Sequence, residues 1–288
     1  MEVYTLTPIF KKRDRKSYKG EFGRVLVVAG SKGFTGAAYL AARAALLTGS
    51  GLVTLGVPRA LEAILETKTS AVMTRGLICT RNQALSEFCF DDIMAEIELF
   101  DAFAFGPGVG QGRSTRNLLS KLLPAVPLPM VIDADGLNLL ADDLNQLLER
   151  KAPTVLTPHL GEFSRLVKRP VEEIRRNLEK MAGAFAHKYG VILLVKGYRT
   201  FVTDGVRGYR NKTGNPALAT GGTGDVLTGI ITSLLGQGRE PMHAAAGGAW
   251  LHGMAADQAI AGGKGGLAAD ELLDFIQNAI KESKRNIR

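Results

Sequence analysis

The chain has 288 residues, 45% hydrophobic and 22% charged, a composition that fits a soluble globular protein, read here as one domain over 1–288. No run approaches about 18 apolar residues and the start, Met1 to Pro8, lacks a signal-peptide pattern, so a membrane span and a secretion signal are not expected. Residues 1–20 and 281–288 carry +7 of the net charge of +8; the near-neutral body excludes a basic nucleic-acid groove, and 1–17 and 281–288 read as solubilising, partly frayed ends.

In chain order, the β-branched run Gly23 to Gly30 predicts a buried parallel strand, and the Ala-rich stretch Gly36 to Thr48 a helix able to pack closely on a sheet. Gly51 to Val57 predicts the next strand and completes a β–α–β unit. Cys79 and Cys89 sit in no metal or redox spacing and read as reduced thiols of a cytoplasmic protein. Further strands are predicted at Phe100–Phe105, Met130–Asp133, Thr154–Thr157 and Val191–Val195, with helices around 115–123, 136–149, 161–167 and 171–188 between them. Thr200 to Asn211 reads as a hairpin around Asp204-Gly205, and the chain beyond Asp225 as mostly helical. Alternation of this kind predicts a mainly parallel sheet covered on both faces, a three-layer α/β/α fold. Ligands in such sheets bind at the carboxyl ends of the strands, where Gly30, Gly106–Gly110, Asp133–Asp135, His159 and Lys196 all fall.

The stretch Asn215-Pro-Ala-Leu-Ala-Thr-Gly-Gly-Thr-Gly-Asp225 carries the most chemistry. Its glycines let backbone N–H groups converge, and the apolar helix that follows offers unpaired amides and a positive dipole end, a combination that favours phosphate. A carboxylate there would repel phosphate unless it works on something. Asp225 therefore reads as a base that deprotonates a hydroxyl while nearby amides hold the phosphoryl group which that hydroxyl attacks. A P-loop is absent, and Gly106-Pro-Gly-Val-Gly110 lacks the third glycine of a dinucleotide fingerprint. Its glycines make either a tight strand exit or a place where a ligand approaches the backbone. His159 reads as a turn histidine or a functional one, Asp133 and Asp135 as metal ligands or helix caps, and Lys196 as a phosphate contact or an exposed lysine. His187, His243 and His252 have no such context and read as structural.

Six segments in order resemble the dehydratases that repair hydrated NADH and NADPH, within the ribokinase-like superfamily: Gly23–Ser31 with Thr35–Ala38, Gly106–Gly110, Asp133–Asn138, Thr157–Glu162, Lys196–Thr200 and Asn215–Asp225. The departures are small: Gly136, Leu160 and Tyr18 stand where the family usually has Ala, Pro and His. The resemblance implies a ribokinase-like fold without a separate lid. It also implies nucleotide-driven dehydration of the S epimer of the hydrated cofactor, with ADP or ATP as co-substrate and Mg2+. Asp225 would be the catalytic base. Ala37, Gly108, Gly110, His159 and Asp225 would meet the hydrated dinucleotide, and Glu162 would organise Mg2+ through water. The nucleotide would lie on Lys196, Gly197, Tyr198, Arg199 and Thr200 and on Asn215, Ala219, Thr220, Gly221, Gly222, Thr223 and Gly224. A functional link to an NAD(P)H-hydrate epimerase and a homo-oligomer, such as a tetramer, follow from the same resemblance, which is to the free-standing form. Two other readings share the glycine turn: a vitamin-type alcohol kinase, which would release a stable phosphorylated product, and a catalytically silent nucleotide-binding protein.

Overall fold

A computed structural model describes residues 1–10, 14–261 and 266–286. Ten strands form one sheet: β1 (Glu2–Val3), β2 (Arg24–Val28), β3 (Leu52–Pro58), β4 (Met73–Leu77), β5 (Ala102–Phe105), β6 (Met130–Ile132), β7 (Thr154–Leu156), β8 (Ile192–Val195), β9 (Phe201–Thr203) and β10 (Arg207–Arg210). Their order is β1-β10-β9-β8-β7-β6-β5-β2-β3-β4. Pairing is parallel from β4 to β8 and antiparallel at β8–β9 and β9–β10, the last being the expected hairpin. The chain runs outward from β2 to β4, then returns to lay β5 beside β2 and builds the other arm. The β2/β5 seam is therefore a topological switch point, the usual neighbourhood of a ligand site in such sheets.

Alternation along β2 shows how the layers form. Val25 and Val27 join one buried cluster, with the helices Thr35–Thr48, Thr223–Gly236, Pro241–Ile260 and Ala269–Asn286. Leu26 and Val28 join the other, with helices Arg113–Ala125, Leu160–Val167 and Leu178–Tyr189. Small residues bring the first set close. A Cβ on Gly229 would lie 2.0 Å from the Ala41 carbonyl oxygen, so the helices at 35–48 and 223–236 meet backbone to backbone there.

Some expectations are corrected. The helix expected over 136–149 ends at Leu140, and a separate 3-10 turn, Leu144–Leu147, follows with Asp143 capping the Asn145 amide. The helix expected over 171–188 breaks at Asn177 into Val171–Arg176 and Leu178–Tyr189. The edge strand β4 was not expected, because Met73-Thr-Arg-Gly-Leu77 has no apolar run and is only partly buried. The amino-terminal end, expected as a frayed tail, holds β1 on the sheet and buries Ile9. At the other end the last helix runs to Asn286 with Ser283 buried. Lys11, Lys12 and Arg13, along with residues 287–288, lie outside the described residues. Among the described residues, no helix is long and apolar enough to cross a membrane.

Candidate active site

The exits of β2 and β5 interlock. Gly30 N donates to Pro107 O at 2.8 Å, and the buried Ser31 hydroxyl to Gly108 O at 2.7 Å. Gly108, at φ 62°, has no room for a side chain: a Cβ would lie 2.7 Å from the Phe34 Cβ and 3.1 Å from that of Ala37. Two of the residues expected at the substrate, Ala37 and Gly108, are thus in contact. Gly110 belongs to the same surface, its amide donating to Asp135 Oδ2 at 2.9 Å, while the Gln111 side chain donates to Asp135 Oδ1 at 2.8 Å. Asp135 opens the helix Asp135–Leu140. The residue before it, Ala134, sits at φ 50° and ψ −119°, a conformation that costs a non-glycine residue about 1–3 kcal/mol. On either side of it, the carboxylates of Asp133 and Asp135 have different partners.

Asp133 is the buried hub. Its Oδ1 accepts from Lys196 Nζ and its Oδ2 from the Thr228 hydroxyl, both at 2.7 Å. Strand β6, the exit of β8 and the helix 223–236 are thereby tied through one carboxylate. Lys196 Nζ also lies 3.9 Å from Glu162 Oε2. Burial opposes the lysine's charge, but Asp133, Glu162 and Asp225 outweigh it and hold its pKa above the ordinary value.

His159 and Glu162 start the helix Leu160–Val167 as a reciprocal cap. His159 Nδ1 accepts from the amides of Gly161 and Glu162, at 2.9 and 3.2 Å, and Glu162 Oε2 accepts from His159 N at 2.8 Å. Accepting at Nδ1 puts the neutral ring's proton on Nε2, which lies 3.5 Å from Glu162 Oε1 on a half-exposed ring. Burial, then Lys196 and Arg165, lower the His159 pKa, which favours the neutral ring. Burial raises the pKa of Glu162, with Lys196 opposing.

Asp225 is the third residue of the helix 223–236, entered through Gly222 at φ 95°. A glycine is required there: a Cβ would lie within 3 Å of Leu40 and Ala269. Among the described residues, no hydrogen bond reaches the Asp225 carboxylate. Burial, reinforced by Asp133, pushes its pKa up to about 7, with Lys196 opposing. A carboxylate at a helix start, with its pKa raised to about 7 and no hydrogen-bond partner among the described residues, is suited to take a proton. Gly224 sits against the ion pair, since a Cβ there would be 3.2 Å from Lys196 Nζ.

The remaining expected residues divide. Gly197 and Gly221 face open space, and Ala219, Thr220, Tyr198 and Arg199 are exposed, so a ligand has access to both loops. Tyr198 is 90% exposed, and neither it nor Arg199 joins the Asp133 network among the described residues. The Thr200 hydroxyl is spent on Gly197 O and that of Thr223 on Leu218 O and Thr220 O. Asn215 braces the loop, accepting from Ala217 N and donating to Asp257 Oδ1. These three shape the turn through their side chains and leave its backbone to face a ligand. Asp133 and Asp135 act as hub and helix opener. Among the described residues no group of three or more His, Cys, Asp or Glu could hold a metal ion directly.

Compared with known families, residues 25–278 match the NAD(P)H-hydrate dehydratases. The chain belongs to that family. It is 44% identical over 279 residues to the bifunctional NAD(P)H-hydrate repair enzyme Nnr of Moorella thermoacetica, a match covering 96% of this chain and 52% of the relative. The chain spans about half the length of the bifunctional relatives it matches. It is 36% identical over 286 residues to the ADP-dependent (S)-NAD(P)H-hydrate dehydratase of Neisseria meningitidis serogroup B, covering 96% of this chain and 92% of the relative. Among solved structures, the ADP/ATP-dependent NAD(P)H-hydrate dehydratase of Bacillus subtilis, co-crystallised with ATP/Mg2+, superposes with a TM-score of 0.80 at 29% identity, covering 95% of this chain and 94% of that one. A ribokinase-like superfamily protein from Enterococcus faecalis gives 0.80 at 25% identity, covering 96% and 92%. The ribokinase-like expectation for the fold therefore holds.

Within this dehydratase fold, sequence reasoning missed two supports of the site. Thr228 lies one helical turn beyond Asp225 in an apolar run and gives no signal of its contact with Asp133. His252 reads as structural from sequence, and its contact is with the glycine turn: its Nε2–H donates to Thr223 O at 2.8 Å, and burial lowers its pKa to about 4, keeping the ring neutral.

Proposed function

We propose that the chain, as a single domain, dehydrates the S epimer of hydrated NADH or NADPH at the expense of ADP or ATP, with phosphorylation of the C6 hydroxyl as the activating step. The observation that carries this is Asp225, a carboxylate without a hydrogen-bond partner among the described residues, with a pKa near 7, at the mouth of a glycine-lined helix start.

Hydroxide leaves poorly at neutral pH, and phosphorylation converts it into a better leaving group. Asp225 takes the hydroxyl proton as the oxygen attacks the terminal phosphoryl group of the nucleotide. The bond from that phosphorus to the nucleotide breaks, and the amides of Gly222 to Gly224 stabilise the charge in transfer. The C6–O bond then breaks, the ring nitrogen lone pair expels phosphate, and loss of a proton from C5 restores the ring double bond. Ala37, Gly108, Gly110 and the Nε2–H of His159 line the hydrated nicotinamide side. The loops 196–200 and 215–224 hold the nucleotide. Glu162 spends Oε2 on its cap and leaves Oε1 as the oxygen that a Mg2+-bound water could reach; the ion would supply charge neutralisation on the phosphates. The chain is read as a cytoplasmic homo-oligomer that works beside an NAD(P)H-hydrate epimerase.

The test is incubation with hydrated NADH or NADPH, Mg2+ and either ADP or ATP, following the absorbance of the reduced nicotinamide. Recovery with release of inorganic phosphate is expected. A stable phosphorylated product would favour the kinase reading. No recovery with either nucleotide would sink the dehydratase reading.

A further inference from the structure

Beside Gly110 and His159 opens a cleft of about 600 Å3, lined by Gln111, Arg116, Asn138, Asp142, Arg165 and Lys168. It adjoins the candidate site on two sides. Gln111 follows Gly110 and donates to Asp135, and Arg165 stands on the helix that His159 and Glu162 cap, close enough for its charge to lower the pKa of both.

Charge separates the two regions. Asp225 is surrounded by Asp133, Asp135 and Glu162, against the single ammonium of Lys196. The cleft has three cations and one carboxylate, and that carboxylate, Asp142, is paired with Arg116 at 2.8 Å. Arg165 gives only its Nε, to the neutral oxygen of Asn138 at 2.9 Å, and among the described residues neither Arg165 nor Lys168 is in an ion pair. Lys168 holds φ 54° and ψ 44° at the helix end, where glycine would be easier on the backbone. A hydrated dinucleotide with its C6 hydroxyl at Asp225 must carry its phosphates away from the acidic centre, and this cleft supplies the opposite sign along the way out. A guanidinium fork, an ammonium and two side-chain amides suit phosphoryl oxygens.

We propose that this cleft is the subsite for a phosphate of the hydrated dinucleotide, held by Arg165 and Lys168 with Arg116 at its rim. The proposal rests on the dehydratase reading and extends it to the part of the substrate remote from the chemistry. The phosphate could be the bridging pyrophosphate or the 2′-phosphate of the NADPH form.

The test is steady-state kinetics of Arg165→Gln/Lys168→Gln, and separately Arg116→Gln, with hydrated NADH and hydrated NADPH, each with the KM for ADP (or for ATP, if ATP is the nucleotide used) measured alongside. All three residues are exposed, and melting temperatures check that the variants fold. The double variant is expected to raise the substrate KM about tenfold or more, with kcat changed far less, because the lost contacts are charge-assisted and remote from the reacting atoms. A rise for both hydrates supports the pyrophosphate as the group bound, and a rise for hydrated NADPH alone the 2′-phosphate. An unchanged KM for both, or an equal rise in the KM for the nucleotide, overturns the subsite. A parent chain that turns over neither hydrate overturns the dehydratase reading and the subsite with it.

Discussion

Asp225 is held at a cost to the fold. In the unfolded chain its pKa is the ordinary 3.8, and in the folded protein it is about 7. Between these values the folded state binds the proton more tightly, so stability falls as pH rises through that window and stays lower above it; below about pH 4 both states are protonated and the effect vanishes. Asp225→Asn is therefore expected to raise the melting temperature at pH 8 and to leave it unchanged near pH 3.5, as read by calorimetry. The same substitution removes the proposed base, and turnover should fall at least about 100-fold. In the parent protein, turnover should climb as pH rises through about 7. Near-normal activity in Asp225→Asn would show that another group takes the proton. Its standing as a candidate was legible because a lone carboxylate after three glycines has few structural uses. Thr228 was not, since a threonine in an apolar helix looks the same whether its hydroxyl returns to its own backbone, as that of Thr232 does, or crosses 95 positions to Asp133.

At the scale of elements, the helix 223–236 is located by two constraints of different kinds. Thr228 fixes its rotation through Asp133, and Gly229 fixes its distance from the helix 35–48. Gly229→Ala would push a methyl into the Ala41 carbonyl, costing about 1–3 kcal/mol through overpacking. Because the displaced helix carries Asp225, turnover should drop by more than the lost stability accounts for, which activity measured well below the melting point would reveal. Elements of this kind were legible where pattern is strong. The buried runs ending at Gly30 and Val195 and the Ala-rich helix fall where expected. Local chemistry rewrote the weaker ones: Asp143 starts a new turn inside an expected helix, and Asn177 breaks another. The convergence of the strand exits followed from topology alone. The linkage through Asp133 leaves no local pattern, because it joins three elements far apart in sequence.

At the scale of the whole molecule, residues 2–9 of the basic amino-terminal segment are bound to the body. Glu2 and Val3 pair with Arg207 and Gly208, the Tyr4 hydroxyl meets His243 Nδ1 at 2.8 Å, and Ile9 packs at Gly247. Ile9→Ala should cost about 2–4 kcal/mol despite lying in a stretch whose charge alone suggests a loose tail; a denaturant midpoint measures it. Charge reports what solvent meets, and a single apolar residue at an isolated position carries too little pattern to announce its burial.

The pairing of β1 with β10 also closes a very long loop. Glu2 and Val3 meet partners more than two hundred positions further along, and Tyr4 reaches further still, to His243. Until β10 and the helix Pro241–Ile260 have formed, this segment has nothing to dock on. Docking of this strap is a long-range closure of the kind that slows folding. Residues 2–9 are thus expected to be among the last to find their place.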